Sequence, residues 1–318
     1  QIETSGYQLE VAGASVKAGA SSGTGGLWLL DPTDSIIDQA VANTYVTSLN
    51  AGTSVLNEVT GNISIADNVT IAKTAGGDAN LTLKATQSIR PESDVTISST
   101  VGALNVTLWS DSDANGTGDM YSNPRFSITT NGGDIVIGGG SDPTTGAAVA
   151  EWSTGVRLYY ASLDAGGGDI SLRGQAGGDM GTGVDLFYST INTTGDGQIY
   201  IEGSGSMQGV SIPSATVSSQ NGSISIVGSS ASSSAINLNG AVQVFTTGLG
   251  NVTLDATGSL RFSGSLAEAA TALGGVSMQG DVQLVANSLS IEKPVQVNTS
   301  GDFLLRPKTG SFTSGTST

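Results

Sequence analysis

The one constellation of side chains with chemical content is Asp111, Asp113, Asn115, Gly116 and Asp119, in the order DSDANGTGD. Oxygen donors at alternate positions, a glycine where the chain must turn sharply and a further aspartate at the ninth place match the front of a calcium loop. The bidentate glutamate that would close such a loop is absent; Ser122 stands in its place. Asp111, Asp113, Asn115 and Asp119 are therefore candidate Ca²⁺ ligands, and calcium is the one cofactor the sequence suggests. The competing reading is a solvated acidic turn between Leu108 and Phe126. A second candidate set is aromatic: Tyr159 and Tyr160, then Phe187 and Tyr188, with Trp109 and Trp152 as further aromatics to consider. An exposed column of rings binds sugars or a partner protein, whereas a buried one fills the interior or a corner.

Whatever positions these residues is repetitive. Val156 and Leu158 are followed by Leu163 and then Ile170 and Leu172, and the same order returns from Val184, Val210 and Ile236, at steps of 28, 26 and 26 residues. It is also present around Ile63, Val69 and Leu81, and again from Leu289 to Leu305. Strict alternation over three residues, bounded by Gly, Asn, Asp or Ser, marks short strands with one buried face. Three such strands per period argue for a solenoid whose coils pair through parallel sheets. The expected fold is all-β, a right-handed parallel β-helix with about 26 residues per coil, the handedness following the general preference of parallel crossovers. Tyr159 and Tyr160 then lie one coil from Phe187 and Tyr188. An antiparallel sandwich also turns often, but it does not require the phase to reset at every period.

The expected organisation is a single β-helix domain over 1–307 and a flexible tail over 308–318. Three inserts interrupt it: a helical one at 27–52, an acidic loop at 109–125 and a short helix at 264–274. In the first, Ser35 and Asp38 have capping-box spacing ahead of Ile37, Val41, Tyr45 and Leu49, with Gly52 as the stop. In the last, Ser265 and Glu268 repeat that spacing before Gly274.

Composition narrows the function. The chain has 318 residues, with no His and no Cys, so Ser-His-Asp and Cys-His nucleophilic chemistry is excluded. Eleven Lys plus Arg against 27 Asp plus Glu give a net charge of −16, a field that repels nucleic-acid phosphates and anionic membranes. No apolar run reaches the ~18 residues that would suggest a membrane span. The lack of cysteine suits export, and Gln1 does not open a signal peptide, so a mature or interior segment is expected. β-Helices also host polysaccharide lyases and hydrolases. The histidine of the pectin-cleaving hydrolases is missing, and none of Arg90, Arg125, Arg157 and Arg173 falls at a coil spacing beside paired carboxylates. No catalytic residue is nominated, and the chain is expected not to be an enzyme.

The stretches GLWLLDPTDSIIDQ, YVTSLNAGTSVLNEVTGNISI, LTLKATQSI, LNVTLWSDSDANG and TTNGGDIVIGGG, in that order over residues 26 to 140, resemble an interior module of filamentous haemagglutinin-type secreted adhesins. The resemblance implies a right-handed β-helix, two-partner secretion onto the surface of a Gram-negative bacterium, and a role in attachment to a glycan or protein on a host or neighbouring cell. The NPNG-like and NxNL-like motifs of that family's secretion domain are absent. The expected function is a rod segment of an adhesin. The alternatives are a carbohydrate-binding or polysaccharide-degrading β-helix and a subunit of an extracellular filament that self-associates along the rod.

Overall fold

The computed structural model describes residues 1–19, 25–151, 153–264 and 270–311. Trp152, the proposed helix around Ser265 and Glu268, and most of the proposed tail lie outside the described residues. The chain is a parallel β-solenoid of about 11 turns, spaced about 27 residues apart.

Each regular coil contributes a strand to each of three faces. The first face runs from Ile2–Ser5 through Leu27–Asp31, Ser54–Val59, Ala79–Ala85 and Leu104–Trp109 to Phe303–Arg306. The second begins at Ser35–Ile37 and includes Val156–Tyr159, Thr182–Phe187 and Gln208–Pro213. The third is a separate sheet of nine strands that includes Thr70–Lys73, Ser162–Asp164 and Thr190–Asn192. These ladders are parallel and, apart from register shifts where Ile224–Asn239, Val252–Ser263 and Val282–Ile291 pair, in register, so one residue type recurs above itself. Val156, Val184, Val210 and Ile236 form one such column, and Leu163, Ile191 and Val217 another, all fully buried. This is the aliphatic core, and its narrowness explains why so few aromatics are needed.

The turns are held by columns as well. At the corner leading into the first face, side-chain oxygens of one coil accept a backbone N–H from the next: Asp134 N–H donates to Asn105 at 2.9 Å, Asp169 N–H to Asp134 at 2.8 Å, and Gln198 N–H to Asp169 at 2.7 Å. Asn251 and Asp281 continue the same device. Inside that corner a second column of buried hydroxyls satisfies carbonyls, Thr193 Oγ1 donating to Gly197 O and Thr246 Oγ1 to Gly250 O, both at 2.7 Å. Buried backbone carbonyls need such partners. Much of the negative charge thus belongs to the turns.

The N-terminal insert differs from the sequence expectation. Residues Leu27–Asp31 and Ser35–Ile37 are strands, and the helix α1 covers only Gln39–Asn50, with Asp38 rather than Ser35 as its cap. Pairing of Ser35–Ile37 with Ile63–Ile65 overrides the capping-box spacing. α1 takes the place of a third-face strand and closes that sheet. The Gln39 side-chain amide reproduces a strand's hydrogen bonds, accepting from Thr70 N–H at 2.8 Å and donating to Thr70 O at 3.0 Å. Thr271–Leu273, within the second expected helix, is a third-face strand. The irregular part of the acidic insert is 110–119, between Leu104–Trp109 and Met120–Tyr121.

The corner between the first two faces needs glycine for space. A Cβ on Gly203 would sit 2.1 Å from Gly209 O, and one on Gly174 would sit 2.2 Å from Gly183 O. Gly203→Ala is expected to cost on the order of 1–3 kcal/mol in denaturant unfolding, as overpacking does. Gly167→Ala, whose Cβ would meet nothing within 4 Å, is expected to change little.

Candidate functional site

The aromatic residues stand where the second face turns into the third. This corner places one residue per coil in the left-handed backbone region: Asn68, Asp94, Arg125, Tyr160, Tyr188, Ser214 and Gly240, at φ of 61, 61, 64, 49, 50, 52 and 74°. The row is tied from coil to coil, with Arg125 N–H donating to Tyr160 O at 3.2 Å and Tyr160 N–H to Phe187 O at 2.9 Å. Gly, Asn and Asp accept this conformation cheaply, whereas other residues pay ~1–2 kcal/mol. Tyrosine is an expensive choice at a position that the flanking coils fill with Arg125 and Ser214 and others with Asn, Asp or Gly.

No core demand explains that choice. Tyr160 and Tyr188 are 46% and 49% exposed, and Tyr159 and Phe187 are partly exposed on the outer side of their strands. The rings pack on one another. Tyr160 lies over Tyr188 with centroids 5.1 Å apart and planes 13° from parallel, and Tyr159 over Phe187 at 5.1 Å and 25°. Within each coil the neighbouring rings meet edge to face, at 4.8 and 4.7 Å. Such contacts return ~0.5–1.5 kcal/mol per pair, comparable to the strain. The four sequence-nominated rings are thus brought together on the surface, and none enters the core.

Their polar neighbours were not nominated as part of this set. Arg157 pairs in register with Tyr121 and Asp185, and its guanidinium lies 5.1 Å from the Tyr121 ring and 5.4 Å from the Tyr159 ring. Its Nε is 3.6 Å from Asp185 Oδ2. Burial pushes the Asp185 carboxyl up, against the pull of Ser211 and Arg157. The signal was present in the sequence, because Arg157 and Asp185 are 28 residues apart.

In the acidic loop the candidate carboxylates are engaged by the protein. Asp111 turns its carboxylate inward, where Oδ1 accepts from Gly116 N–H at 2.9 Å and Thr117 N–H at 3.2 Å, and burial raises its pKa. Asp113 accepts from the Asn115 side chain at 2.7 Å. Asp119 is held by Arg90 at 2.9 Å, in a cleft of about 410 Å³ that Glu151 also lines. Each carboxylate has a protein donor, and among the described residues no group of three or more acidic side chains is placed to hold a metal. The partnership of Asp119 with Arg90 spans two coils and could not be read from the nine-residue motif.

Comparison with protein-family models, curated proteins and solved structures returns no match. Among the described residues no helix is long and apolar enough to cross a membrane.

Asp111→Ala leaves two inward N–H groups without their acceptor, a loss of roughly 1–3 kcal/mol. Its melting temperature is expected to fall by the same amount in chelator and in millimolar calcium. A melting temperature that calcium raises in the wild type alone would instead make the loop a metal site.

Proposed function

We propose that the chain is a non-catalytic rod segment of a secreted or cell-surface adhesin of a Gram-negative bacterium, acting as a spacer that carries a binding surface. The observation that supports this most is the pairing of a continuous stack with a corner whose exposed rings do no packing for the core. Eleven coils at ~4.8 Å each make a stiff body on the order of 50 Å long. The sequence resemblance to filamentous haemagglutinin-type modules and the absence of cysteine favour export and surface display. The absence of histidine, and the engagement of Arg90, Arg125, Arg157 and Arg173 by Asp119, Asp94, Asp185 and Glu202, favour a non-catalytic role.

Beads coated with the chain are expected to be retained on bacterial or epithelial cell layers well above albumin-coated beads, with soluble chain competing. Retention equal to albumin would contradict the adhesive reading. Release of reducing ends from polysaccharides would contradict its non-catalytic part.

A further inference from the structure

We infer that the Tyr159, Tyr160, Phe187 and Tyr188 corner is a binding site for a neutral polysaccharide, a reading that deepens the adhesive one and rests on it. The first ground is the backbone. In a row of seven left-handed positions, two consecutive coils carry tyrosine where Asn, Asp, Ser and Gly serve the same turn in other coils; the one other bulky residue, Arg125, is accounted for by its ion pair with Asp94. Stacking of the two tyrosines offsets the strain without a net gain to the fold, and both rings remain about half exposed, so the pairing leaves a broad aromatic face open to a ligand.

The second ground is the chemistry of the surface. Ring faces attract the C–H faces of a pyranose, and the hydroxyls of Tyr159, Tyr160 and Tyr188 have no partner among the described residues. They are free to donate to and accept from sugar hydroxyls, as a ligand with many hydroxyl groups requires. The rings stand on an outer face and a turn, which suits a long chain laid across the rod better than a small molecule that must be enclosed.

The third ground is charge. The chain carries −16, and the two cations nearest the rings are already engaged, Arg157 beside Asp185 and Arg125 with Asp94. An anionic or sulfated glycan would meet repulsion with no free cation to answer it. The ligand class is therefore uncharged. Stacking on a few rings gives weak single contacts, and attachment gains strength from many rods acting together.

The test is native electrophoresis of the chain through gels containing galactomannan, xyloglucan or hydroxyethylcellulose, with dextran sulfate as the anionic comparison. At least one neutral polysaccharide is expected to slow the chain two-fold or more, and dextran sulfate is expected not to. Tyr160→Asn with Tyr188→Asn, which keeps a residue suited to the left-handed turn, should abolish the retardation. Leu249→Asn, at an exposed leucine on another corner, should not. If the double variant melts early, Tyr160→Phe with Tyr188→Phe keeps the rings and must still weaken the retardation. The inference is overturned by no retardation in any of the three neutral gels, by retardation that survives the tyrosine variants, or by retardation in dextran sulfate alone. A concentration-dependent dimer in sedimentation that the double variant abolishes would also overturn it, in favour of a second copy as the occupant. Wild-type beads that still adhere to cells while no neutral gel slows the chain would remove the glycan assignment and leave the adhesive rod.

Discussion

The parallel, in-register hydrogen bonding between successive coils is the constraint on which everything else depends. Because each residue pairs with its equivalent in the next coil, any requirement at one position becomes a requirement along a column. The interior meets it with Val, Ile and Leu, the inner turn with Ser and Thr, and the outer turn with Asn and Asp. A column also multiplies whatever it displays. Two tyrosines one coil apart become a stack, and an arginine followed by an aspartate becomes an ion pair.

The columns explain how a chain with few aromatics holds together. The interior is narrow and mostly aliphatic, with only a few large rings such as Phe126 and Phe262 buried in it, so stability comes largely from many small aliphatic contacts and from backbone groups satisfied coil by coil. The ends need separate treatment because a ladder's last strand presents unpaired N–H and C=O groups. At the N-terminal end, α1 lies against the edge of the third face and Gln39 supplies an amide in place of a strand. Tyr45 on that helix is buried against Trp28, with its hydroxyl accepting from Asn57 Nδ2 at 3.0 Å.

The solenoid was legible in the sequence because a period near 26 in Val, Ile and Leu is a direct image of the stack. The aromatic pairs were legible for the same reason. What the sequence did not reveal depends on contacts between coils of unequal length. The step from Val106 to its partner Ile135 is 29 residues and from Ile135 to Ile170 is 35, so the loop residues between them lose the phase. The pairing of Asp119 with Arg90 arises across such a step, and the DSDANGTGD motif, local by nature, held no trace of it. Likewise the capping-box spacing at Ser35 was a local signal that strand pairing outweighed. The left-handed corner row was visible only as Asn, Asp and Gly in some coils; its extension to Tyr160 and Tyr188 required the backbone.

The register itself is open to direct measurement, since the chain has no cysteine of its own. Spin labels on Thr82→Cys paired with Ser225→Cys, Thr253→Cys or Gln283→Cys sit on one outward column of the first face, five, six and seven coils apart. Distances of roughly 24, 29 and 34 Å, rising by ~4.8 Å per coil, are expected from pulsed electron resonance. Distances that do not rise by one strand spacing per coil would contradict the stacked-coil architecture and, with it, the aromatic corner.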